Sequence, residues 1–379
     1  MRSQCAVVSS VLFALVLFAC GGGDSGDDGP DASVGADASG GEPDAALPDA
    51  ASGTEQPPLG EGLATLAGTA SAGRIDGDRD HALFNNPVNV IVTADGDVLV
   101  ADFDNSLIRR VTPEGDVSTI SQAPAAGVFA RPFGLALAGE WLYIQTDGNS
   151  MGQTSGAGAA LWRMPAEGGA PELVRDTFGR ARGLVALGDG RLAAAFYQQH
   201  VVQIYDPAGN TLTPLAGLSG APDDVDGQGA SARFNQPYDL VQLADGSLLV
   251  ADFGNHRLRR VDLDGNVACH GGTGVAGADD GPLATATFSA PQGLASDEAG
   301  NIYVTDTGSY LVRRISPEGD VVTIAGDGSP GYGDSEEPRS GRLHGIEGMD
   351  VGADGYLYVA DGTRGEDVPY HRVRRLSLP

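Results

Sequence analysis

The stretch Phe234–Val267, FNQPYDLVQLADGSLLVADFGNHRLRRVDLDGNV, decides the fold. Apolar runs at Tyr238–Leu243, Ser247–Ala251 and Arg257–Val261 alternate with turn residues at Ala244-Asp245-Gly246, Asp252–Asn255 and Asp264-Gly265. Runs of that length around Asp-Gly predict strands joined by tight hairpins, with glycine supplying the positive φ of a primed turn. The chain then repeats the stretch. FNNPVNVIVTADGDVLVADFDNSLIRRVTPEGDV begins at Phe84, 150 residues earlier, and FSAPQGLASDEAGNIYVTDTGSYLVRRISPEGDV begins at Phe288, 54 residues later. All three superpose without a gap. Four strand-like runs per repeating unit mark radially arranged four-stranded blades.

Three weaker units fill the remaining length. Arg131–Leu135 followed by Trp141–Asp147 matches the first half of the pattern, with Gly134 and Asp147 spaced as Gly293 and Asp306 are. Arg182–Leu184 followed by Arg191–Phe196 matches again, with Phe196 where the others have Asp. A sixth unit runs from Leu343 to the end and lacks a fourth strand, while Leu63–Gly68 has the sequence of one. The N-terminal strand is therefore expected to complete the C-terminal blade and remove the edges an open array would expose. The prediction is an all-β, six-bladed β-propeller over residues 61–379, made of four-stranded antiparallel blades.

At AGxxxxxGxxDGxxxxAxFxxPxG(L), seen in Ala325–Asp334, Asp226–Pro237 and Asp280–Gly293, the units resemble NHL repeats. The resemblance implies a propeller that is usually a binding module. A minority of similar propellers, the peptidyl-hydroxyglycine amidating lyases and gluconolactonase-like enzymes, are metal-dependent. Fold alone does not choose between these.

In a propeller blade the short Asp-Gly and Glu-Gly hairpins fall on one face, the bottom. The longer connections fall on the top, where binding usually resides. All six histidines (His81, His200, His256, His270, His344, His371) map to the top, as does the insertion Gly148–Ala160. The recurring Asp102, Asp252, Asp306 and Asp361 read as structural, holding backbone N–H groups or the Arg-Arg pairs at Arg109, Arg259 and Arg313. Residues that break the repeat where the inner strands begin are the candidate ligand-binding set: Asn89, Arg182, Tyr238, Asp239, Gln292, Glu347, and His344 beside them. Of these, Asn89, Asp239 and Glu347 resemble the channel-mouth ligand set of lactonase-like propellers and would hold Ca²⁺ or Zn²⁺ in a metal-dependent hydrolase or lyase. The blander reading pairs Arg182 with Asp239 of the adjacent blade. Without that alternative, no cofactor is expected.

Composition bounds the partners. The formal net charge is −28, with all 23 basic residues arginine, so the chain lacks the positive field that nucleic-acid binding needs. Residues 1–20 carry Arg2, an apolar core at Val7–Phe18 and Leu17-Phe18-Ala19-Cys20, which resembles a bacterial lipobox with Cys20 as the lipidated residue. Residues 21–60 hold nine acids, no base and no aromatic, the composition of a disordered tether. The expectation is a monomeric, lipid-anchored propeller in the cell envelope, on the outer-membrane or periplasmic side or at the cell surface. It would recognise a protein, peptide or glycan, and touch the membrane through the anchor alone.

Overall fold

The computed structural model describes residues 59–154, 159–363 and 368–379. The signal segment, Cys20 and the tether up to residue 58 lie outside them, as do positions 155–158 of the Gly148–Ala160 insertion. The described residues form six antiparallel sheets. Blade four shows the plan, with strands Pro237–Gln242, Leu248–Asp252, Arg257–Val261 and Asn266–Gly271 from the axis outwards. Its first two hairpin junctions fall where the Asp-Gly and Asp252–Asn255 signals stand.

The hairpin turns differ from the expected primed type. Gly246 N–H bonds Leu243 O at 2.8 Å and Leu243 N–H bonds Ser247 O at 2.8 Å, while glycine alone is left-handed, at φ 84°. That is a type I turn closed by a glycine bulge. Gly265 and Gly319 repeat it, at φ 83° and 89°. One left-handed residue per turn suffices, so the Asp-Gly and Glu-Gly pairs need only their second member to be glycine.

Alternation along each second strand builds the ring. Leu248 and Val250 point into a cluster shared with blade three, and Leu249 and Ala251 into one shared with blade five. Both faces of such a strand are buried, so it reads as a continuous apolar run. Among the described residues the buried apolar side chains form six clusters, one in each gap between blades. Closure is as the orphan strand predicts. Leu63–Thr69 pairs with His371–Ser377 as the outermost strand of blade six, from Leu63↔Leu376 to Thr69↔His371. Leu59 packs on the same cluster and Gly60 O accepts from Arg375, so the chain is fastened just before that strand.

The recurring aspartates anchor a buried hub in four blades. In blade one, Asp102 Oδ1 accepts Asn85 N–H at 2.7 Å and Oδ2 accepts Arg109 Nη1 at 2.8 Å. Arg109 reaches on to Asp76 of the leading loop at 2.7 Å and lies over the Phe84 ring. Arg259 joins Asp252 and Asp226, Arg313 joins Asp306 and Asp280, and Arg374 joins Asp361 and Asp334 in the same way. The residue after each leading-loop aspartate then pairs with the blade's outermost strand: Gly77 with Val117, Gly227 with Val267, Gly281 with Val321, Ser335 with Leu63. The hub thus wraps the leading loop over an edge that would otherwise be bare.

Blades two and three do without it. Register puts Thr146, not Asp147, at the aspartate's place, because the blade-two hairpin at Ala138–Trp141 is shorter than its counterparts. Trp162 stands where the others have arginine, and its Nε1 donates to Thr146 Oγ1 at 3.1 Å. Blade three has Phe196 and Gln203 at these places. Their outer edges are blunted by proline: Pro171 aligns with Val117, and Pro214 with Thr119, so each edge loses an outward N–H.

Two outcomes follow from this architecture. Removing residues 60–69 bares the His371–Ser377 edge, and the variant should aggregate or lose its cooperative melt in scanning calorimetry. Arg259→Met leaves Asp252 buried without its counter-charge, and should lower unfolding free energy by about 3 kcal/mol in urea titrations.

Candidate functional site

The inner strands begin at the top of the channel, and the candidate residues sit there. None is on open surface. Arg182, Tyr238, Gln292, His344 and Glu347 are each under 9% exposed. The ring position they share holds Val88, Phe133, Arg182, Tyr238, Gln292 and Glu347 in blade order.

One side of the mouth is aromatic. Phe133 of blade two meets Tyr238 of blade four edge-on at 6.0 Å, reaching past blade three, and meets Phe103 of blade one at 5.9 Å. Tyr197 and Phe253 complete the group, packed on Tyr238 at 5.5 and 5.7 Å. Phe103, Tyr197 and Phe253 each follow the last residue of a second strand, so the same repeat position supplies three of the five rings. That recurrence is a signal the sequence carries and the reading above did not use. Across the mouth, His344 lies between Tyr310 at 6.0 Å and Tyr370 at 4.7 Å. Beside it Thr307 Oγ1 donates to Ile346 O at 2.7 Å. Between the two sides stands Gln292, whose Oε1 is buried and has no hydrogen-bond partner among the described residues.

Arg182 does not neutralise Asp239. Its guanidinium lies 4.0 Å over Phe133 and its Nη1 bonds Asp147 Oδ1 at 2.9 Å, so it is directed back at blade two. Displacement of Asp147 by one register position frees that carboxylate for it. Asp239 sits one residue further along its strand, in the channel wall. Its Oδ1 accepts Leu240 N–H at 2.8 Å and its Oδ2 accepts Leu294 N–H of blade five at 2.9 Å. Asp350 does the same between blades six and one, accepting Val351 and Val92 N–H at 2.9 and 2.8 Å. An inner strand has a neighbour on one side only, and these carboxyls satisfy N–H groups on its channel edge. Burial pushes Asp239 up to about 7, with the charge of Asp350 adding to the rise, and pushes Asp350 up to about 6.

These bonds bear on the metal set. Asn89 Oδ1 is taken by Val90 N–H at 2.8 Å, and Asn89 and Asp239 belong to blades one and four, three places apart in a ring of six. Asn89 packs on Gly348, Asp239 on Gly183, each against the blade before it. Among the described residues no three His, Cys, Asp or Glu side chains converge as metal ligands. Asn89 Oδ1 and both oxygens of Asp239 are thus engaged by backbone N–H groups, which fits a cation poorly.

The comparisons agree with the repeat. Residues 234–260 match the NHL repeat family. The chain is a six-bladed propeller whose fourth blade carries that match. A 93-residue stretch of it is 37% identical to the protein SUPPRESSOR OF QUENCHING 1, chloroplastic, of Arabidopsis thaliana, over 24% of this chain and 9% of that protein. NHL repeat-containing protein 2 of Bos taurus is 35% identical over 131 residues, 32% of this chain and 18% of that protein. The alignments take in less than a fifth of either relative. Among solved structures, a protein of unknown function from Bacteroides thetaiotaomicron superposes with a TM-score of 0.64 at 20% identity, covering 83% of this chain and 74% of that one. An auxiliary nutrient binding protein of the same organism gives 0.64 at 16% identity, over 83% and 75%. At such identities the likeness is one of fold. No helix among the described residues is long and apolar enough to cross a membrane.

The Arg182–Asp147 pair is buried, and removing Arg182 leaves Asp147 only the longer charge contact to Arg180 Nε among the described residues, at 3.7 Å. Arg182→Leu should cost about 3 kcal/mol in chemical denaturation, where an exposed arginine would cost under about 0.5.

Proposed function

We propose that this propeller is a binding module of the cell envelope that takes a protein, peptide or glycan at the mouth of its channel. The observation that carries the reading is the division of labour among its polar residues. Recurring aspartates and arginines are consumed by the hubs. The polar residues that break the repeat gather at the mouth, between aromatic rings on either side. Aromatic faces stack on sugar rings and on peptide planes, and amides fix orientation. Gln292 Oε1, buried with no donor among the described residues, is the acceptor a ligand N–H or O–H would satisfy. The bottom offers only short turns whose residues are explained by backbone geometry. Two similar folds, from Bacteroides thetaiotaomicron and Bacteroides ovatus, are described as auxiliary nutrient binding proteins, in keeping with a binding role. Anchorage through Cys20 belongs to the same proposal. It predicts that Cys20→Ser moves the protein from detergent phase to aqueous phase in a phase-partition assay.

Gln292 allows binding and stability to be separated. Replacing a buried acceptor that has no partner by an apolar group of similar shape should be neutral or stabilising, by up to about 1 kcal/mol. Gln292→Met should therefore hold or raise the melting temperature while weakening, at least tenfold, ligands selected on glycan and peptide arrays. Glu318→Ser, on the bottom, should change neither. Binding that falls with Glu318→Ser and ignores Gln292→Met would put the site on the other face.

A further inference from the structure

Neighbouring blades are latched by a hydrogen bond that recurs around the ring. Its donor is the backbone N–H of the residue before the proline that opens an inner strand, held left-handed at φ 56° in Asn86, 57° in Arg131, 58° in Gln236 and 51° in Ala290. Its acceptor is the side chain of the residue that opens, or immediately precedes, the preceding blade's third strand. At Arg131 the acceptor is Ser106 Oγ, at 3.1 Å. At the other three it is an imidazole: His371 Nδ1 for Asn86, His200 Nδ1 for Gln236 and His256 Nδ1 for Ala290, each at 3.0 Å. His200 and His256 are themselves left-handed, at φ 60° and 54°, which turns the ring towards the next blade.

We propose that these three histidines form an acid-sensitive latch, by which protonation uncouples blade three from four, four from five and six from one. An imidazole accepts at Nδ1 only while that nitrogen carries no proton. The imidazolium is a donor at both nitrogens. Protonation would therefore set N–H against N–H, at a buried junction for His371 and at part-buried ones for His200 and His256, and take the acceptor from the backbone donor. The left-handed residue that the bond holds would lose its support at the same moment. Burial is what holds His200 and His256 below their ordinary range. His371 is held down by burial and by Arg372, with Asp104 of blade one opposing them. Because these groups are lowered in the folded protein, their contribution to stability is complete above 6.5 and is lost as pH falls below it towards the folded value. Asp239 and Asp350, raised to about 7 and about 6, act in the opposite sense, binding protons in the folded state before the unfolded chain does. The latch is therefore read at its own bonds and not in the total.

Arg131 supplies the internal control, because its serine acceptor does not titrate. Amide hydrogen exchange of the full chain, corrected for intrinsic rates, should show protection at Asn86, Gln236 and Ala290 falling about tenfold between pH 7.5 and 5.5. Arg131 should hold its protection. In a His200→Asn, His256→Asn, His371→Asn variant the side-chain carbonyl keeps an acceptor that cannot titrate, and the four amides should then respond alike. Equal behaviour of the four in the wild-type protein, or a wild-type difference that survives in the variant, would overturn the latch. If the variant does not fold, the wild-type comparison between Arg131 and the other three decides alone.

Discussion

Four fully buried arginines hold this propeller together. Arg109, Arg259, Arg313 and Arg374 have no side-chain exposure, and each is bonded to a carboxylate at the end of a strand and to another in the loop that leads into the blade. Taking such charges out of water is costly, and an apolar replacement of the same volume is often as stable. What the ion pairs add is position. The guanidinium fork fixes the leading loop against the third strand, and that loop then covers the blade's outer edge. Without the bidentate geometry the loop would have no reason to cross there, and lysine could not substitute.

Blades two and three show what changes when the hub is dropped. Trp162 fills the volume of the arginine and keeps one hydrogen bond, to Thr146. Phe196 and Gln203 do without the charge altogether. Neither replacement can recruit an aspartate, so neither blade wraps its outer strand. Pro214 then appears on the outer strand of blade three and Pro171 just before that of blade two, each deleting an N–H that would face outwards. The two solutions answer the same hazard, unpaired edges that invite another chain to pair.

This is why some of the molecule was legible and some was not. The Asp-Gly hairpins, the closing strand at Leu63–Thr69 and the structural role of Asp252 all follow from local chemistry repeated at a fixed period. Repetition failed as a guide where register shifted. Spacing from Gly134 pointed to Asp147 as the blade-two aspartate, but one residue fewer in the hairpin put Thr146 there and released Asp147 to Arg182. That in turn left Asp239 to the backbone, where it staples one inner strand to the next. A side chain's partner across a blade gap depends on two registers at once, and single-unit spacing reports only one.

The mouth follows from the same logic. A position that repeats chemically in most blades is under a constraint every blade shares, and the hub, the turns and the channel staples account for nearly all of those. A position whose neighbours around the axis are Phe133, Arg182, Tyr238, Gln292 and Glu347 answers to no such constraint, since the six inner strands are alike in backbone and unlike in side chain. Arg182 is offset by Asp147 of blade two, but burying Gln292, whose Oε1 has no partner among the described residues, costs more than burying a leucine would. Fold alone gives no reason to keep Gln292. The proposed binding role does, because recognition requires polar groups held rigidly at a defined place, and a closed ring of stapled strands is the part of this chain best able to hold them.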